Sequence, residues 1–153
     1  IDSVGVVGDY VVSQQEVVRS TNQAKLKNDG YSITASYVLT GEDASFNGVS
    51  PGNNFTLNGE GWGALEAVAR IGQLSIDDDT FVGTNALRFA NPQTSASKAK
   101  NYVVGLNWYL NKNVKLSTNY SDTRFDGGAN GSGVVVADRD AEKAIFSRVQ
   151  FSY

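Results

Sequence analysis

The stretch Asn101-Tyr102-Val103-Val104-Gly105-Leu106-Asn107-Trp108-Tyr109-Leu110-Asn111-Lys112-Asn113-Val114-Lys115-Leu116-Ser117-Thr118-Asn119-Tyr120-Ser121 decides the fold class. Tyr102, Val104, Leu106, Trp108 and Leu110 share one parity, and Asn101, Val103, Gly105, Asn107 and Tyr109 share the other. A side-chain period of two is the period of a β-strand. Asn111, Lys112 and Asn113 then break the pattern with turn-forming residues. Beyond them Val114, Leu116, Thr118 and Tyr120 alternate with Lys115, Ser117, Asn119 and Ser121. The stretch predicts an antiparallel hairpin with one greasy face and one wet face.

The same alternation recurs outward from this hairpin. Downstream, Ile145, Val149, Phe151 and Tyr153 oppose Ala144, Arg148, Gln150 and Ser152. Upstream, Tyr31, Ile33, Ala35, Tyr37 and Leu39 oppose Ser32, Thr34, Ser36, Val38 and Thr40. Two weaker runs complete the set, residues 4–19 and 62–76. In the latter, Leu65, Ala67, Ala69 and Ile71 oppose Glu66, Val68 and Arg70, although its alanines and the i,i+4 pair Glu66/Arg70 also suit a helix. Gly61, Gly63 and Gly72 punctuate that run and favour a strand. The expected strands are residues 4–19, 30–41, 62–76, 99–110, 113–125 and 142–153, an all-β antiparallel chain treated as a single unit over 1–153.

Composition narrows what such strands can do. The chain has neither Cys nor His, which excludes disulfide scaffolds, thiolate or imidazole metal sites and Ser-His-Asp chemistry. A net charge of −3 gives no footprint for a nucleic-acid partner. No run approaches the roughly 18 apolar residues of a transmembrane helix, so any membrane crossing must be made by strands. Runs of about 10 to 14 residues suit that task, since a tilted strand needs about 9 to 11 to cross and soluble strands usually have about five or six. The wet face carries Ser, Thr, Asn and Gln with sparse charge, as a water-filled lumen does. A soluble β-sandwich is the alternative, and it would show water a Lys- and Glu-rich exterior. Trp108, Tyr102, Tyr120, Phe151 and Tyr153 sit on the apolar parity, where they suit membrane-interface girdles.

About six strands cannot close alone, because single-chain barrels begin at eight and an open edge in lipid leaves backbone groups unpaired. The chain is therefore expected to be the C-terminal portion of a larger barrel, or to close with other chains. Ile1 opens no charged-then-apolar leader, so a leader is expected to have been removed, or the chain to begin inside a longer one. The expected links are residues 20–29, 42–61, 77–97, 111–113 and 126–141. With 111–113 fixed as a periplasmic turn, the first, third and last become extracellular loops, and only 42–61 is longer than its side predicts. That link contains no Lys or Arg, so it reads as an ordinary turn rather than a cationic constriction; whether it folds into the lumen stays open.

Particular segments then suggest a family. Tyr37-Val38-Leu39-Thr40-Gly41-Glu42, Gly61-Trp62-Gly63-Ala64-Leu65-Glu66-Ala67-Val68-Ala69-Arg70, the run from Asn101 to Asn111, Val114-Lys115-Leu116-Ser117-Thr118-Asn119-Tyr120 and Phe146-Ser147-Arg148-Val149-Gln150-Phe151-Ser152-Tyr153 resemble, in order and spacing, the C-terminal part of the phosphate-selective porin O and P family. The resemblance implies a trimeric, sixteen-stranded outer-membrane porin that conducts anions, of which these are the last six strands. It implies no catalysis and no cofactor. It also implies that Val149, Phe151 and Tyr153 form the signal read by the barrel-assembly machinery, although many such proteins end in Phe rather than Tyr. The family's ladder of basic residues draws largely on other parts of the barrel, so phosphate preference is not carried onto this chain's residues.

Parity supplies the candidate sites. Arg70, Lys115 and Arg148 are expected to face a water-filled lumen, where they would guide small anionic solutes. Asp9 and Glu66 are expected to face it too, and mixed charge that merely orders water is the plainer reading. Lys98, Lys100 and Lys143 are expected at the rim, close to lipid and lipopolysaccharide, where snorkelling is a sufficient account. Asp77, Asp78 and Asp79 have no EF-hand spacing and are expected to be a solvated loop, so no metal is assigned. Beside the diffusion channel stand two alternatives: a barrel anchor or translocator without selective transport, and a soluble β-sandwich binding module.

Overall fold

The computed structural model describes residues 3–131 and 135–152. The described residues form seven strands: β1 (Val4–Arg19), β2 (Asn22–Val38), β3 (Ala64–Ser75), β4 (Ala96–Asn111), β5 (Val114–Asn130), β6 (Val136–Asp138) and β7 (Glu142–Phe151). They form one antiparallel sheet in sequence order, in which short β6 pairs with the end of β5 and β7 pairs with the rest of it. β1 and β7 are its outer long strands, and the sheet is not closed.

Register fixes which residues share a face. Val6, Ala35, Ala69, Val104, Tyr120 and Ile145 are successive partners across the sheet, and one residue along lie Gly5, Ser36, Val68, Gly105, Asn119 and Phe146. One step along a strand changes face, so the first row is apolar and, apart from Val68 and Phe146, the second is small or polar. Exposure is the reverse of a soluble protein's: Ile33, Tyr37, Tyr102, Val104, Leu106, Ile145 and Val149 are exposed, while Ser32, Thr34, Ser36 and Asn107 are partly covered. Among the described residues the buried apolar ones reduce to Leu26, Val38, Val49, Ala64 and Tyr109. A sandwich needs a second sheet over its apolar face, and the described residues supply none.

The height of the apolar face matches a membrane. From the row Tyr10, Tyr31, Gln73, Lys100 and Arg124 to the row of Val114 and Phe151 is ten residues along β5. At about 3.4 Å per residue and a tilt near 40°, that is about 26 Å, against the roughly 25 Å apolar band of outer-membrane barrels.

Several strands run further than the hydrophobic pattern predicts. The expected strand 30–41 begins at Asn22, and the expected link 20–29 shrinks to a turn of Ser20 and Thr21. The added ladder sets Glu16 opposite Lys25 and Gln14 opposite Lys27, polar pairs that carry no apolar period. Likewise β4 starts at Ala96 and β5 runs on to Asn130, so the expected link 126–141 contains strand and the short β6. At the opposite end strands stop sooner. β2 ends at Val38, where Gly41 (φ 93°) turns the chain and donates its N–H to the Val38 carbonyl. β3 starts at Ala64 because Gly63 (φ 72°) is pressed against the Tyr109 carbonyl, where a Cβ would collide. Residues 64–75 are strand, not helix, laddered to β2 on one side and β4 on the other.

A polar cleft on the inner face as the candidate functional site

Two adjacent rows of the polar face build the site. One contains Val38, Glu66, Asn107, Ser117 and Arg148; the next contains Ala64, Tyr109, Lys115 and Gln150. Glu66 is only 7% exposed, yet its Oε2 accepts from Asn107 Nδ2 at 2.9 Å and from Tyr109 Oη at 2.9 Å. A buried carboxylate needs such donors, since leaving one unpaired is expensive. Lys115 Nζ stands 5.1 Å from the centroid of the Tyr109 ring, a cation–π contact. Ser117, also buried, has a hydroxyl with no protein partner among the described residues.

The link between β2 and β3 covers this corner, which corrects its reading as an ordinary turn. Val49 is buried against Val38, Ala64 and Tyr109, and Gly48 (φ 98°) lies close enough to Tyr109 that a Cβ would press on its ring. Residues 44–49 thereby lie across the inner face, bounding a cleft of about 660 Å³ whose wall includes Thr34, Glu66, Asn107, Lys115 and Gln150. The second half of the link crosses to the outer face. There Phe55 donates its N–H to the Leu110 carbonyl at 2.7 Å and packs edge-on against Trp108 (centroids 5.1 Å apart), whose Nε1 donates to the Trp62 carbonyl at 2.7 Å. The link straddles the rim. Glu42 helps to fix it: burial raises its pKa, but hydrogen bonds from the Thr40 hydroxyl and the Gly52 N–H outweigh that and hold it below the usual carboxylate value.

Arg70, Lys115 and Arg148 all fall on the polar face, but not together. Lys115 and Arg148 lie on the neighbouring strands β5 and β7 in adjacent rows, Arg148 in the row of Glu66 and Lys115 in the row of Tyr109. Arg70 shares a row with Val7, Thr34, Val103, Ser121 and Ala144, six residues along β4 from the Tyr109–Lys115 row. That is roughly 20 Å along the strand. Asp9 lies beside the Arg70 row, exposed, and accepts from Ser32 Oγ at 3.4 Å. No described carboxylate lies within ion-pair distance of Arg70, Lys115 or Arg148. Val149 and Phe151 stand exposed on the outer face, opposite Leu116 and Val114; Tyr153 lies outside the described residues. Asp77 caps the 3₁₀ turn Asp78–Thr80 and accepts from the Lys27 and Asp79 N–H groups at 2.7 and 3.0 Å, which hold its pKa below the usual value. Among the described residues no cluster could hold a metal ion.

Sequence reasoning missed Tyr109, Asn107, Ser117 and residues 44–49 as parts of one corner. The available signals were an aromatic on the wet parity at Tyr109 and a lone valine, Val49, in a polar link.

The sequence profile of the phosphate-selective porin O and P family matches residues 8–153. Porin O of Pseudomonas aeruginosa is 32% identical over 115 residues, which cover 71% of this chain and 24% of that protein. The chain thus spans about a quarter of the length of this curated relative. An open antiparallel wall with its apolar face outward and a profile match over nearly all of its length lead to one assignment: the chain belongs to the phosphate-selective porin O and P family, proteins of the bacterial outer membrane.

Proposed function

We propose that this chain supplies the last six spanning strands of a sixteen-stranded, homotrimeric porin, and that its polar face lines a water-filled channel that guides small anions such as phosphate. One observation carries the reading. The cations Arg70, Lys115 and Arg148 share the polar face, while Glu66 on the same face is buried and tied up by Tyr109 and Asn107. With Glu66 screened, these three open cations outnumber the exposed Asp9 beside the Arg70 row, and that balance makes the potential along this part of the wall positive and lowers the barrier for anions in a narrow aqueous path. The aromatic-ended C-terminal sequence, with Val149, Phe151 and Tyr153, is the segment that the barrel-assembly machinery would read.

The test is the reversal potential of the full-length protein in planar bilayers under a KCl gradient. Arg70→Gln, Lys115→Gln and Arg148→Gln combined are expected to lower the anion-to-cation permeability ratio several-fold while the channel still opens. A ratio unchanged by all three would remove these residues from the selectivity path, and cation preference in the unaltered protein would overturn anion guidance.

A further inference from the structure

The outer face changes character abruptly above the tyrosines. Tyr31 and Tyr102 mark the upper margin of the apolar band, and at or just beyond it the same face carries Lys98, Lys100, Arg124 and Lys143 on the adjacent strands β4, β5 and β7. Lys100 and Arg124 are direct cross-strand partners, Lys98 is opposite Asp126, and Lys143 is opposite Asp122. Four cations thus meet two carboxylates, an excess of two positive charges on a patch three strands wide. At about 4.8 Å between strands the patch is roughly 10 Å across. The Arg124 guanidinium lies 5.8 Å from the Tyr102 ring centroid, so its planar fork is placed at the boundary between hydrocarbon and water.

The ion pairs within the patch leave the cations available. Lys98 and Lys100 share one oxygen of Asp126, at 3.8 and 3.5 Å, with both ammonium groups partly exposed. Arg124 spends one N–H on Asp122 at 3.1 Å and is two-thirds exposed. Exposed pairs of this kind are weak, whereas a phosphate oxygen takes charge-assisted hydrogen bonds from guanidinium and ammonium together. Snorkelling alone accounts for a single lysine at a rim, but not for four cations gathered on three adjacent strands within three successive rows of one face.

We propose that Lys98, Lys100, Arg124 and Lys143 form a site on the outer wall for the phosphate groups of a glycolipid headgroup in the surrounding leaflet. The acyl chains of such a lipid would run down the apolar band past Tyr102 and Val104, and the phosphates would sit at the cations. The site depends on the wall's seat in the membrane and not on conduction, so it can fail while the channel reading stands.

The test is native mass spectrometry of the full-length protein in detergent, titrated with lipid A bearing two phosphates, with its dephosphorylated form, and with inorganic phosphate. The unaltered protein is expected to bind the bisphosphorylated lipid at least tenfold more tightly than the dephosphorylated one. Inorganic phosphate is expected to compete only weakly. Lys100→Gln with Arg124→Gln and Lys143→Gln is expected to erase the preference and leave the conductance unchanged. Equal binding of the two lipids by the unaltered protein overturns the proposal without recourse to any variant. So does a preference that survives the three substitutions, or inorganic phosphate binding as tightly as the lipid.

Discussion

Glu66 sits on the water-facing side of a strand, yet it is almost closed off, because Tyr109 and Asn107 on β4 reach back to one of its oxygens. Alternation alone placed Glu66, Arg70, Lys115 and Arg148 on the polar side, since parity needs only sequence. It gave no sign that Glu66 would be sequestered, because that follows from cross-strand register. Asp77 shows the same dependence on a distant partner. Its two oxygens accept from backbone N–H groups, and those bonds hold its pKa below the unfolded value of 3.8. A lowered carboxylate pKa contributes stability above the unfolded value and loses it as pH falls through the folded one. The anchor between the β3–β4 loop and β2 therefore contributes fully above the unfolded value and is lost only as the pH falls through the lower folded one. Limited pepsin digestion should cut the unaltered protein next to Phe81 more readily at pH 2 than at pH 4, and Asp77→Ala should be cut readily at both. Equal resistance of Asp77→Ala at pH 4 would show that the anchor lies elsewhere.

Among the elements, the membrane-crossing parts of β2, β4, β5 and β7 were legible, because each has a lipid face whose apolar residues alternate with polar ones. The outer reaches of β2 and β5 were not: both faces meet water there, the pattern disappears, and only the ladder of backbone hydrogen bonds keeps the strand going. The inward fold of residues 44–49 was equally hidden, since it rests on one valine in a polar link entering a gap between Val38, Ala64 and Tyr109. That dependence can be tested. Val49→Asp puts a charge where no partner waits, a penalty of several kcal/mol, so the segment should leave the inner face. Single-channel conductance of the full-length protein should then rise, with barrel stability little changed because the ladders are untouched. Conductance equal to that of the unaltered protein would mean that the segment does not narrow the path.

The whole sheet has two bare edges, along β1 and β7, and in lipid each unpaired backbone group costs several kcal/mol. Strand addition from elsewhere in a longer chain, or from further copies, must satisfy them. The 153 residues expressed alone are accordingly expected to give no compact monomer that shifts its gel mobility on heating, whereas the full-length protein should show that shift. A heat-shifting monomer from this segment alone would mean that these strands close on themselves.

Every long strand here pairs with the long strand that precedes or follows it in the chain, and the excursion to β6 leaves the pairing of β5 with β7 intact. Such a wall is a string of repeated hairpins, each with its own register and turn. Gene duplication or loss of one hairpin would thus change the circumference by two strands without resetting the others. Pore diameter becomes a quantity that evolution can step up or down in even increments, while loops between hairpins diverge independently.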